Sequence, residues 1–154
     1  MLTKLKYVGT SIEDLIEIYT LFIRSIAEYC AVAFHSGLTV SQNTDIERIQ
    51  KTCLKIILGD NYISYPAALE MTGLDTLYER REARCLNFAL KSLKHPVLSK
   101  MFPKNRNTTN RNTDIRNREP FQVNFARTEQ YKKSAIPFCQ RLLNKHFILN
   151  KQQS

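Results

Sequence analysis

The chain has 154 residues, 43% of them hydrophobic and 24% charged. That is enough apolar material for one domain that buries about 70% of its unfolded surface. Its net charge of +9 and pI of about 9.5 favour an anionic partner, nucleic acid or an acidic membrane surface. No apolar run approaches the roughly 18 residues of a membrane span. The acidic stretch after residue 10 stands where a signal peptide would carry its apolar core. An intracellular protein, nuclear or cytoplasmic and not secreted, is therefore expected, with no membrane partner. Cys30, Cys53, Cys85 and Cys139 form no CxxC pair, and His35, His95 and His146 are not spaced as zinc partners. The cysteines read as small buried hydrophobes.

In chain order, a short basic lead ends at the breaker Gly9. Ser11-Ile12-Glu13-Asp14 has the form of a capping box and opens a helix expected to run to about residue 33. Its main apolar face is Ile12, Leu15, Ile16, Tyr19, Phe22, Ile23, Ile26 and Cys30. A second group, Ile18, Leu21, Tyr29 and Val32, lies off that face. A surface helix needs only one apolar stripe. The second group is therefore expected to remain an exposed patch that another body would cover. Glu13, Asp14 and Glu17 gather near the helix start, where the dipole favours acids. No further His or acid is spaced to complete a metal site.

A loop over 34–40 turns at Gly37, with His35 bridging it to its neighbours. Thr39 or Ser41 caps a helix over 44–58, in which Ile46, Ile49, Cys53, Ile56 and Ile57 form the apolar side. Arg48, Lys51 and Lys55 fall together elsewhere on it. Glu47 sits four residues before Lys51, the favourable order for a helix ion pair. Gly59 ends this helix. A short helix over 66–72 carries Pro66 in its first turn and stops at Gly73. Thr76-Leu77-Tyr78-Glu79 is a second capping box, opening a helix over 77–94 that His95-Pro96 stops. Its apolar side is Tyr78, Cys85, Leu86, Ala89 and Leu93. Arg80, Arg84, Lys91 and Lys94 line up opposite.

Between Arg80 and Arg118 eleven Lys and Arg face only Glu82 and Asp114, which accounts for the whole excess of +9. Residues 104–119 are rich in Asn, Thr and Arg and carry a single aliphatic residue, Ile115. Such a stretch reads as a flexible basic loop. Its arginines Arg106, Arg111, Arg116 and Arg118 are further candidates for phosphate contact. A short extended segment is expected over 121–126. After it comes a last helix from residue 135 to about 146, with Pro137 in its first turn and a frayed polar end from 144 onward.

The fold expected is all-α, a bundle of roughly four or five helices. Residues 1–101 would form the bundle, 102–120 the basic loop, and 121–154 an extended segment and a C-terminal helix docked on the bundle, a single domain. No nucleophile elbow, metalloprotease helix, P-loop or Gly-rich dinucleotide turn is present, and the chain has only 4 Gly. What it offers is cations in rows, suited to holding phosphates without reading bases.

The order and spacing of several short motifs closely resemble the region after the polymerase palm in reverse transcriptases of non-LTR retrotransposons, the jockey-like group above all. The motifs run from Phe22-Ile23-Arg24-Ser25-Ile26-Ala27-Glu28-Tyr29 and His35-Ser36-Gly37-Leu38-Thr39 through Glu47-Arg48-Ile49-Gln50-Lys51 and Ile57-Leu58-Gly59. Ser64-Tyr65, Leu69-Glu70-Met71-Thr72-Gly73-Leu74, Glu79-Arg80-Arg81-Glu82 and the tail 131–147 continue the series. Together they cover nearly the whole chain, and none is diagnostic alone. Phe34 stands where relatives often carry Trp.

The resemblance implies a thumb and post-thumb region lying against a template–primer duplex. It also implies that the palm, with its Tyr/Phe-Ala-Asp-Asp motif and its Mg²⁺, is absent, as is the family's endonuclease. On this basis the chain is expected to be a non-catalytic fragment without a cofactor. It would bind nucleic-acid duplexes, RNA–DNA or DNA, independently of sequence. Arg80, Arg84, Lys91 and Lys94 would carry the binding and Arg48, Lys51 and Lys55 would assist. The patch at Ile18, Leu21, Tyr29 and Val32 would be where the missing palm packed. The alternative is a helical protein–protein interaction module that does not bind nucleic acid.

Overall fold

The computed structural model describes residues 1–104 and 119–152. Among the described residues the chain is all-α; the one β feature is an isolated antiparallel bridge between Lys104 and Phe121. Arg106, Arg111, Arg116 and Arg118, and the loop built on them, lie outside the described residues.

The elements are α1 (Leu2–Tyr7), α2 (Ile12–Ile18), a π-helical turn (Tyr19–Ile23), α3 (Arg24–Ala27), α4 (Ala31–Phe34), α5 (Val40–Leu58), α6 (Tyr65–Thr72), α7 (Leu77–Leu93), α8 (Glu129–Lys132) and α9 (Ala135–Gln152). They form two compact units. The first comprises Met1–Ala31 with Leu38–Arg81, and the second Val32–Gly37 with Glu82–Ser154. The division falls inside α7, so the bundle expected over 1–101 contributes to both.

In the first unit, Leu2, Leu15, Tyr19, Cys53 and Ile57 make one core cluster. Leu54, Leu58 and Ala68 make another, where α5 meets α6. Local chemistry sets the helix ends. The Ser11 hydroxyl accepts from the Asp14 amide at 3.1 Å. Thr39 and Gln42 form a reciprocal capping box, so α5 starts at Val40, a turn earlier than the apolar pattern indicated. The basic lead is not a loop: it forms α1, whose Leu2 is buried. Lys6 on α1 donates its ammonium to the Ile56 and Ile57 carbonyls at 2.7 and 3.1 Å. A cation there satisfies orphan carbonyls and complements the helix dipole. Gly73 is left-handed (φ 64, ψ 26) and closes α6.

The single helix expected to run to residue 33 is interrupted. A π turn adds one residue per turn, which rotates everything after it by roughly 100°. The helix then stops at Ala27, and Cys30 takes a positive φ of 52° before α4 begins. Phe22, Ile26 and Cys30, assigned to the main apolar face, are exposed as a result.

The second unit is built on Cys85, Ala89, Phe102, Phe121, Cys139 and Leu143, with Val32, Leu86, Leu93, Ile136, Leu142 and Phe147 packed around them. His35 is buried, its ring edge-on to Phe138 at 5.5 Å. The segment 121–126 forms no strand: one bridge joins Phe121 to Lys104, and the Gln122 amide donates to the Pro103 carbonyl at 2.9 Å. Two side-chain amides one turn apart on α9 also hold the segment. Asn144 accepts from the Phe121 amide at 2.8 Å and donates to its carbonyl at 3.0 Å. Gln140 accepts from the Asn124 amide at 2.9 Å and donates to the Met101 carbonyl at 2.8 Å. This is why α9 does not fray at 144: Asn144 is buried, and the helix runs on to Gln152.

Candidate nucleic-acid interface

On α5 the buried side is Gln50, Cys53, Leu54, Ile57 and Leu58. Arg48, Lys51 and Lys55 lie on the exposed side at helical spacing. With Thr44, Glu47, Thr52 and Tyr65 they line an open groove of ≈ 540 Å³ where the start of α6 meets α5. Arg48 pairs with Asp45 at 3.2 Å, both exposed. The Lys55 ammonium lies 5.5 Å over the Tyr62 ring.

Glu47 does not pair with Lys51 as its spacing led us to expect. One of its carboxylate oxygens accepts from the Tyr65 hydroxyl and, at 3.1 Å, from the Leu77 amide. Those fixed donors hold the carboxylate on the protein's own elements, and Lys51 is left facing the groove. Burial, then the hydrogen bond to Glu47, pushes the Tyr65 phenol well above its ordinary value of 10.0, so it stays a neutral donor.

On α7, Cys85 and Ala89 are buried and Leu86 and Leu93 pack on the second core, as expected. Tyr78, placed on that side, is instead exposed. The row opposite is not uniform. Lys91 and Lys94 are exposed, and so is Arg84. Arg80 turns inward: its Nε donates to Glu28 Oε1 at 2.5 Å and its Nη2 to Oε2 at 3.4 Å. The Glu28 side chain is only 1% exposed. That hydrogen bond raises the Arg80 pKa further. Arg24 lies 3.9 Å from the same Glu28 oxygen, but Arg80 makes the closer, two-point contact. A phosphate could take Arg80 only by breaking that contact with a buried carboxylate, so Arg80 belongs to the fold and not to a phosphate-facing row.

Arg81 was not singled out, yet it is 0% exposed, with Nη2 donating to the Asn43 side chain at 2.9 Å. Its spacing carried the signal. Leu77, Arg81, Cys85 and Ala89 recur every four residues on one line, and all are fully buried.

The patch expected at Ile18, Leu21, Tyr29 and Val32 is divided. Ile18 packs against the first core and Val32 against the second. Leu21 and Tyr29 are 58% and 75% exposed. Phe22, within the π turn, and Ile26, after it, are likewise 59% and 77% exposed. An exposed apolar strip exists, with a partly different membership.

Among the described residues no group of three His, Cys, Asp or Glu is placed to hold a metal ion. No helix among them is long and apolar enough to cross a membrane. Comparison with protein-family models, with curated proteins and with solved structures finds no match.

Proposed function

We propose that this chain is a non-catalytic nucleic-acid-binding module, the thumb-side region of a jockey-like non-LTR retrotransposon reverse transcriptase. It would grip a duplex, RNA–DNA or DNA, through its phosphates, and the reading requires no cofactor. One observation carries most of this. Lys51, Lys55, Lys91 and Lys94 are exposed, and among the described residues none has a carboxylate within 4.0 Å. Surface lysines that serve only solubility are commonly interspersed with acids. Here they stand on helix faces opposite buried ones, in a chain of net charge +9. Phosphate contacts of this kind position a duplex without specifying its sequence.

The exposed strip Leu21, Phe22, Ile26 and Tyr29 favours a second reading, a helical protein-interaction module. Salt separates the two. Under the first reading, duplex affinity falls steeply between low and physiological salt and is the same for unrelated sequences. Absence of duplex binding at low salt would leave the protein-interaction reading as the better account.

A further inference from the structure

Resting on that reading, we infer that the groove between α5 and α6 takes one unpaired nucleic-acid strand, while the exposed lysines of α7 take the duplex. A duplex is convex, with a major groove alone about 12 Å wide. It can touch the rim of a concavity but not fill one. The groove's ≈ 540 Å³ is the size of a small-molecule site, within the usual range of about 300–1,000 Å³. That suits a nucleotide or two.

The cations match a single strand in length. Arg48 to Lys55 spans roughly 10 Å of helix axis at about 1.5 Å per residue. That row is long enough to follow the backbone of a few nucleotides, as a positively charged groove that tracks a single strand does. The groove also holds the other component of a single-strand site, an aromatic surface. Tyr65 opens α6; its half-buried ring packs against the cluster of Leu54, Leu58 and Ala68 and lines the groove, and its hydroxyl is bonded to Glu47 on α5, so the ring is held in place. A fixed ring offers stacking at little cost in side-chain freedom, and every base has a face to stack. Glu47 sets the polarity of the site. Its carboxylate repels phosphates from the Tyr65 end and leaves them to Arg48, Lys51 and Lys55. A base, uncharged, is tolerated there.

The groove therefore carries a strand with phosphates along α5 and a base toward Tyr65. On α7 itself the exposed aromatic, Tyr78, precedes Lys91 by more than three turns.

The test uses the full chain and fluorescence anisotropy with two probes, an oligothymidylate of about ten nucleotides and a blunt duplex. Lys51→Ala/Lys55→Ala is expected to weaken the oligothymidylate about tenfold or more at low salt and the blunt duplex, which meets these lysines only at the rim, about threefold. Lys91→Ala/Lys94→Ala is expected to do the reverse. Tyr65→Leu should cost about tenfold on the single strand alone. Where that variant proves unfolded by circular dichroism, the lysine pair, exposed and outside the core, carries the decision. Equal weakening of both probes by the α5 pair overturns the strand assignment but leaves the nucleic-acid reading intact. Failure of the wild-type chain to bind either probe overturns both.

Discussion

Arg80 and Lys91 sit on the same helix and carry the same charge, yet their surroundings give them different tasks. Glu28 is buried, and Arg80→Ala removes its nearest cation, leaving Arg24 at 3.9 Å. We expect a loss of about 2 kcal/mol, less than for a fully uncompensated buried charge because Arg80 is partly exposed and Arg24 remains beside Glu28. Urea denaturation measures that loss. Duplex affinity of the still-folded fraction should change less than twofold. Lys91→Ala should show the opposite pattern, full stability and weaker binding. The buried phenols give a second residue-scale prediction. Tyr19 donates to Gln50 at 2.7 Å, and burial raises both its pKa and that of Tyr65 well above the ordinary 10.0. Below that value both states of the protein keep these protons. Above it the unfolded chain releases them and the folded chain does not, so stability falls as pH rises. Denaturant midpoints should hold steady toward pH 10 and then decline. In Tyr65→Phe the decline should be shallower, and an equally steep fall would show that other groups cause it.

Among the elements, the segment from Ile12 to Phe34 is the one whose outcome differs most from its pattern. The π turn redirects Phe22 and Ile26, and a left-handed Cys30 carries the chain from α3 into α4. A non-glycine residue in that region costs roughly 1–2 kcal/mol. Cys30→Gly should therefore stabilise the protein by about 0.5 kcal/mol, the strain relieved less the added freedom of the unfolded chain. Cys30→Val, β-branched at a positive φ, should destabilise it. A lower denaturant midpoint for Cys30→Gly than for wild type would argue against strain at this turn. In the second unit, Asn144 holds both main-chain groups of Phe121. Asn144→Ala would leave a buried amide and carbonyl without partners, at a cost of about 2–3 kcal/mol. Hydrogen exchange at the Phe121 amide should accelerate more than exchange within α7. An unchanged Phe121 amide would mean that the segment is held by other contacts.

For the whole molecule the dominant quantity is the charge of +9. A polycation bound to a duplex releases about 0.7–0.9 counterions per phosphate neutralised. Lys91→Ala/Lys94→Ala should therefore flatten the plot of log affinity against log salt by about 1.5 units. Titrations at several salt concentrations read this directly. A slope unchanged from wild type would make these lysines a solvated face.

How much of this was legible in the sequence depends on whether the deciding force is local. The helical class, the caps at Ser11 and Thr76 and the stop at Gly73 all follow from nearest neighbours along the chain, which for α5 narrowed the cap to Thr39 or Ser41. Hydrogen bonds over three or four residues and an apolar stripe suffice to write them. The long-range pairings did not follow. That Glu47 would leave Lys51 for Tyr65 and Leu77, that Glu28 would claim Arg80 across 52 positions, and that Asn144 would bond both main-chain groups of Phe121 depend on which elements meet. A buried carboxylate or a strandless backbone takes the partner that folding brings within reach, because leaving it unsatisfied costs more than any local alternative offers. Residue order along each helix was enough to say where cations could stand. Which of them remain turned outward was settled by packing between helices, since that depended on where the buried acids came to lie.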